Sequence, residues 1–597
     1  MSESISNERL SKRNLWGYSM GGIGRDMAYQ LVNTYLLTFI TFTKGLSNTE
    51  FAMVGVIMVI CRIFDGCNDP FMGSLIEITR TKIGKFKPWI LAGVFTNVAV
   101  IIALFCVPLR GTSYLIFFAF GYLLWGMTYT MNDISYWGMM PSLSSNPNDR
   151  NNLATLANIG AGVGAGLSVL AIPSLTQGNL AIAPNASKSY AIVSIIVCIL
   201  FFACQIMTVL VVKEKPLPKV RVDDGEKRSL KEMFRVIFKN DQLKPVMAAM
   251  LLYSIGSGIT MALASYWIYY RFAYQGLLVT LFTVISGIST VVIVFFPILC
   301  KKHSRRWISK LSMIMIIVGY LLMFIISLAT GADPKADKVG FKVGEVFIPV
   351  TFIFTGLSGA CAFFGQTLFY QVLTISVANT VEYNEYTTGM RDEGVIFACR
   401  PFTTKLGSAA VVGITTLVVL ALGLNPTNKA ISNADYEAGQ LAVQVEQLVK
   451  DETPNFDSLS KEEQTKLIEA KKKSIETENV AKIENIIHTN EDTKVAKWQY
   501  QTMFAFMTLL PLVILLGSFA IYFKKYNISE ERYDEICAEI AKRKLAAEGN
   551  AEVVLDGADA NELENDLASS DAETPDEIFE QEAAADKISE APDEVEK

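Results

Sequence analysis

The run CRIFDGCNDPFMGSLIEITRTKIGKFKPWI, residues 61–90, begins inside an apolar stretch, yet carries Arg62, Asp65 and Asp69 where a lipid-facing helix holds no charge. It passes into a basic turn, TRTKIGKFK, before apolarity resumes at Pro88. Apolar runs of about twenty residues match the length a helix needs to cross a hydrocarbon core about 30 Å thick. Working outward, similar runs fall at 16–42, 50–77, 89–109, 113–140, 154–176, 190–212, 245–270, 275–299, 307–329, 346–378, 394–423 and 501–523. The pattern predicts an all-α integral membrane protein of about twelve transmembrane helices.

An even count puts both termini on one side. Lys and Arg concentrate in alternate connections, at TRTKIGKFK, in the stretch between the sixth and seventh segments, at KKHSRRWISK and at Lys524–Lys525. The positive-inside rule then predicts cytoplasmic termini and a multi-pass protein of the cell membrane. The expected organisation is a cytoplasmic N-terminus (1–15), a six-helix bundle (16–212), a cytoplasmic central loop (213–244), helices seven to eleven (245–423), an extracytoplasmic helical insertion (424–498), helix twelve (499–523) and an acidic, largely disordered tail (524–597). Two six-helix halves suggest bundles related by an axis along the membrane normal, with a cavity between them. The insertion includes LSKEEQTKLIEAKKKSIETENVAKIENII, whose apolar residues recur at helical spacing and predict a small helical element, read as a solvated addition without chemistry of its own. The tail, rich in Ala, Asp and Glu, has the composition of a disordered segment.

Composition narrows the chemistry. The nine cysteines have no metal-ligand spacing, and His303 and His488 are the only histidines, so a histidine-rich metal centre and a Ser–His or Cys–His catalytic pair are not expected. No cofactor, enzyme activity or nucleic-acid partner is expected. The remaining signal is charge at membrane depth, which is costly there and faces a cavity or a partner. Asp65 and Asp69 are one helical turn apart and Arg62 lies on the same face. Two carboxylates with nearby hydroxyls suit a monovalent cation such as Na⁺, or a shared proton; a structural ion-pair cluster is the alternative that spacing alone leaves open. Arg25 and Asp26 follow a glycine-rich stretch in the first segment. In the fourth, Tyr129, Asp133 and Trp137 are four apart, beside Thr130. A carboxylate flanked by rings suits a sugar, because carboxylates accept from hydroxyls while rings cover a pyranose face; an aromatic packing stripe is the competing reading. Arg400 and Lys405 in the eleventh segment can neutralise these acids from the other half.

The second-segment run, GRD at 24–26, TYTMNDISYW at 128–137, and VEYNEYTTGMRDEG at 381–394 followed by a lysine in the next helix together resemble the glycoside–pentoside–hexuronide:cation symporter family. The resemblance spans residues 10–423 and the last helix, and leaves out the insertion and the tail. It implies the major facilitator fold and uptake of a sugar with Na⁺, Li⁺ or H⁺ across a bacterial cell membrane. Asp65 and Asp69 would bind the cation, with Thr130 nearby and Lys405 opposite. Asp26 and Asp133 would hold sugar hydroxyls, with Arg25, Tyr129, Trp137 and Arg400 around them. Arg62 and Asn68 would support the site, and Glu382, Glu385 and Arg391 would form cytoplasmic gating contacts. The chain departs from the family pattern at Asn158, where an arginine is expected, and at Arg400, where a glutamine is expected. That displacement points to a different glycoside, a xyloside or a hexuronide. Two other readings accompany this one: a symporter of lysolipids or amphiphiles, and a membrane sugar sensor that does not transport.

Overall fold

The computed structural model describes residues 10–144, 147–214, 239–289, 293, 295–330, 339–343, 346–390 and 393–544. Each of the twelve apolar segments contains a helix: α1 (Lys12–Thr43), α2 (Asn48–Ile78), α3 (Lys87–Cys106), α4 (Gly111–Met139), α5 (Pro147–Thr176), α6 (Ala186–Val211), α7 (Leu243–Arg271), α8 (Gly276–Ser289) with the short α9 (Phe296–Lys302), α10 (Arg305–Thr330), α11 (Val350–Thr388), α12 (Glu393–Ala421) and, after the insertion, α16 (Lys497–Lys525). Among the described residues nine of these helices are long and apolar enough to cross a bilayer. The exceptions are α1 and α2, which carry Arg25, Asp26, Asp65 and Asp69, and the shorter α8 and α9.

Two groups of helices form. In the first, α1 packs on α5 and α6, α3 on α4 and α6, and α2 on α4; in the second, α7 packs on α12 and α16, and α10 on α16. The groups meet where α2 packs on α12 and α5 on α8. Small residues set the spacing of the first group, as expected where dispersion rather than water exclusion drives helix association. A Cβ on Gly160 would lie 2.4 Å from the Ser19 carbonyl oxygen, and one on Gly164 2.1 Å from that of Ile23. These contacts fix α1, and with it Arg25 and Asp26, against α5.

The C-terminal ends of α1 and α7 are joined by aromatic packing. Phe42 packs against Tyr266, Tyr269, Tyr270 and Tyr274, and Thr41 hydrogen-bonds the Tyr266 hydroxyl at 3.0 Å. The insertion is helical as expected, with α13 (Asn425–Val443), α14 (Val445–Glu452) and α15 (Lys461–His488). A capping box at Ser460 and Glu463 starts α15. The element is not merely solvated, however. Asp435 is buried and accepts from the backbone N–H of Ala186 (2.5 Å) and Ser187 (3.2 Å) and from Asn185 Nδ2 (3.4 Å), so it caps α6. Arg110 donates to the Ser432 carbonyl and to Asn433 Oδ1, while the Tyr270 hydroxyl of the second group donates to Asn428 Oδ1. Helix α13 therefore touches both groups.

Two further differences concern boundaries. Residues 346–349, read as the first turn of the tenth segment, form a strand, β2 (Val346–Pro349), paired antiparallel with β1 (Gly340–Val343). Alternating Phe341, Val343, Val346 and Ile348 carry that two-residue period. Part of the region read as disordered tail is helical: a second compact unit contains residues 382–390 and the helical 531–544. There Lys544 Nζ pairs with Glu385 Oε1 at 2.7 Å, and Ile536 and Ile540 are buried at helical spacing. The acidic composition beyond residue 544 dominated the reading of this segment. The central loop at 215–238 and residues 545–597 lie outside the described residues.

Candidate functional site

Nine of the residues singled out from the sequence line one cavity of about 310 Å³: Arg25 and Asp26 from α1, Asp65 and Asp69 from α2, Tyr129, Thr130, Asp133 and Trp137 from α4, and Lys405 from α12. It has two chemically distinct parts.

The first is a bridge between the helix groups. Lys405 Nζ lies 2.9 Å from Asp65 Oδ2 and 2.6 Å from Asp69 Oδ2. From α4, the Thr130 hydroxyl donates to Asp65 Oδ1 at 2.6 Å, with Asp69 Oδ1 at 3.4 Å. One turn of α2 thus presents two carboxylates to one ammonium. Two acids and one cation leave a formal negative charge, and oxygen donors of this kind suit a hard monovalent ion. The three side chains are about a quarter to a third exposed, so the cluster is reachable from the cavity.

The second part is a guanidinium held between two acids and two rings. Arg25 is buried; Nη2 lies 2.6 Å from Asp26 Oδ2, and Nη1 3.1 Å from Asp133 Oδ1. The contact to Asp133 is an ion pair whose angle does not make a hydrogen bond, so that carboxylate keeps acceptor capacity. The Arg25 carbon sits 4.6 Å above Tyr136 and 4.8 Å above Trp137. Tyr136 is in turn fixed by reciprocal bonds: its hydroxyl donates to the Tyr18 carbonyl at 2.7 Å and Tyr18 returns one at 2.8 Å, the rings stacked at 4.4 Å. With Arg25 immobilised, Asp26 and Asp133 face the cavity as paired acceptors, 21% and 34% exposed, beside the Trp137 ring.

Other expected residues lie elsewhere. Arg62 donates to Ser408 Oγ at 2.7 Å and to the Asn33 carbonyl at 3.2 Å, and lines a neighbouring cavity. Asn68 is half-buried on α2 and is not among the residues lining this cavity. Arg400 donates to the Tyr370 hydroxyl at 2.7 Å and does not line the cavity either, so the structure does not bring it to the acids. Five residues separate it from Lys405, about 1.4 turns of helix, so the two side chains leave α12 in different directions. Glu382 and Glu385 belong to the second compact unit, and Arg391 lies outside the described residues. Sequence reasoning missed Tyr29 and Trp125, which line the cavity and stack near Tyr129, at 5.1 Å and 5.8 Å between ring centres. Their signal was the helical period: Tyr29 follows Arg25 by four, and Trp125 precedes Tyr129 by four. Asn158 also lines the cavity, its amide turned back to the Ala154 carbonyl at 2.8 Å.

Residues 17–442 match the family described as MFS/sugar transport protein. Among individual proteins, the chain is 26% identical to the raffinose carrier protein of Pediococcus pentosaceus over 71% of this chain and 64% of that one. It is 28% identical to the lactose permease of Lactobacillus delbrueckii subsp. bulgaricus over 68% of this chain and 63% of that one. The chain therefore spans a little under two thirds of the length of these relatives. Among solved structures, the nucleoside transporter NupG superposes with a TM-score of 0.50 at 12% identity, over 86% of this chain and 99% of that one, a likeness in fold alone.

Proposed function

Because the chain belongs to the glycoside–pentoside–hexuronide symporter family of the major facilitator superfamily, we propose that it carries a sugar or glycoside across the cell membrane together with a monovalent cation. The observation that supports this most directly is the Asp65–Lys405–Asp69 bridge, which spans the two helix groups beside the Arg25–Asp26–Asp133 cluster.

In this reading the sugar is held by Asp26 and Asp133, which accept hydrogen bonds from its hydroxyls, while Trp137 covers an apolar ring face. Arg25 positions the two carboxylates. Asp65, Asp69 and Thr130 receive the cation. Without it, Lys405 offsets one of the two charges and ties α12 to α2; a cation between the carboxylates competes with the ammonium and loosens that tie. Since α2 and α12 belong to different groups, cation occupancy acts on the contact that must change in alternating access. The basic connections support cytoplasmic termini and an insertion outside.

The test is labelled-sugar counterflow and Na⁺- or H⁺-driven uptake in proteoliposomes, screened over galactosides, glucosides, xylosides and uronides. The expected result is sugar exchange whose rate follows the cation. Binding without exchange would instead favour a sensor, and exchange of an amphiphile but no sugar would favour a lipid carrier.

A further inference from the structure

A second cavity, larger than the acidic one at about 400 Å³, lies between the helix groups beside Arg62. Its walls come from α1 and α2 on one side and from α7, α8, α11 and α12 on the other. That size is within the range that small-molecule sites occupy, about 300–1,000 Å³.

Its chemistry differs from that of the acidic cavity. Thirteen of its twenty-one lining residues carry a hydroxyl, none is acidic, and Arg62 is the single cation. Hydroxyls both donate and accept, which matches a ligand that does the same; the lining offers no carboxylate to balance a cation. Tyr253 and Tyr370 stack at 5.4 Å and supply ring surface, with Met261, Val411 and Val412 as apolar neighbours. The Thr415 hydroxyl oxygen is buried at this cavity with no hydrogen-bond partner among the described residues, in a residue that is 1% exposed. A buried hydroxyl left unpaired is unfavourable unless something completes it.

The two cavities adjoin along three helices. On α1, Tyr29 lines the acidic cavity and Asn33, one turn on, lines this one; on α2 the pair is Asp65 and Arg62; on α12 it is Lys405 and Ser408. The partition is the Arg62 side chain with its bonds to Ser408 and the Asn33 carbonyl. At the far side, Tyr266 lines the cavity and also joins α7 to α1 through Thr41.

From this arrangement we infer that the hydroxyl-lined cavity is a second saccharide subsite, taking the part of a glycoside beyond the ring held at Asp26 and Asp133. The inference rests on the sugar-transport reading and narrows it to substrates of two or more rings. Arg62 then sits at the junction, where a glycosidic oxygen passes between the subsites. Because the walls belong to both helix groups, a longer substrate is gripped by both, whereas the first ring is held by α1 and α4 alone.

The experiment is equilibrium binding to the purified full chain, with a series sharing the first ring: methyl glycoside, disaccharide and trisaccharide. The first ring is chosen from the uptake screen. Ser257→Leu narrows the cavity, and Thr415→Val removes only the unpaired hydroxyl at nearly constant volume. In the native chain the second ring should raise affinity. Ser257→Leu should lower disaccharide and trisaccharide affinity about tenfold or more while changing methyl glycoside affinity less than about twofold. Thr415→Val should give a smaller loss of the same pattern, and its binding of the methyl glycoside reports that the chain is folded. An equal loss across the series, or no gain from the second ring in the native chain, overturns the subsite and leaves sugar transport standing. Failure of every sugar to bind the native chain overturns both.

Discussion

Asp69, open to the cavity, and Asp435, buried, are both carboxylates that join parts of the chain more than two hundred residues apart. Their partners separate their roles. Asp69 faces Lys405, a single flexible ammonium that another cation can replace. Asp435 faces the fixed N–H groups of Ala186 and Ser187 at the start of α6, with Lys44 and Arg110 as its nearby cations and Tyr274 facing it from the α7–α8 turn. Backbone donors have no exchangeable substitute. A carboxylate against a mobile charge can act as a switch, whereas one against a helix terminus acts as a fastening.

The largest expected effects come from breaking the exchangeable pairs. Asp65→Cys and Asp69→Asn should each abolish cation-driven accumulation in proteoliposomes while leaving sugar binding measurable; full cation-driven uptake in either variant contradicts the coupling role. Next, Asp133→Ala should weaken sugar affinity about a hundredfold, since it removes a charge-assisted acceptor worth about 1.5–3 kcal/mol while Arg25 keeps Asp26 as partner. Unchanged affinity by isothermal titration would put the sugar elsewhere.

The fastening sharpens the contrast from the other side. Asp435→Ala should lower stability by about 1–2 kcal/mol through loss of the α6 cap, with the cation dependence of transport retained in the folded protein. Asp435→Asn, which keeps an acceptor oxygen, should lose less. Thermal unfolding in detergent checks both. The smallest effect is on pH dependence. Burial holds the Asp435 carboxyl above the usual carboxylate range, against the opposing pull of the Ala186 and Ser187 N–H groups. The folded state therefore holds this proton more tightly than the unfolded chain, whose carboxyl titrates near about 3.9. Its contribution is greatest below that value and falls as pH rises through the raised one. In Asp435→Asn that part of the slope should vanish; an unaltered slope would assign it to another group.

The sequence carried the helices and the polar cluster because both depend on local pattern. Hydrophobic length marked each membrane segment, and a spacing of four placed Asp65 with Asp69 and Tyr129 with Asp133. The Asp69–Lys405 contact spans 336 residues; charge suggested Arg400 and Lys405 opposite the acids, and the family resemblance singled out Lys405, since spacing within one helix says nothing about which helix faces it. Arg400 shows the limit: its charge suggested a place among the acids, but its position on α12 sends it to Tyr370. The role of Asp435 was hidden for another reason. In a polar, Lys- and Glu-rich insertion one more acid carries no visible signal, and its partners are backbone amides that any sequence supplies. The second cavity was likewise invisible, because scattered Ser and Thr in apolar helices become a polar wall only when several helices are assembled.

In the proposed mechanism the Asp65–Lys405–Asp69 bridge is an exchangeable cation site linked to sugar movement. The most direct measurement is the initial rate of labelled-sugar counterflow in proteoliposomes as a function of Na⁺, Li⁺ and H⁺, for the native chain and Asp69→Asn side by side. The account predicts a rate that rises and saturates with at least one of these cations in the native chain and is flat in the variant. Rapid counterflow in the native chain that is indifferent to all three cations would contradict it.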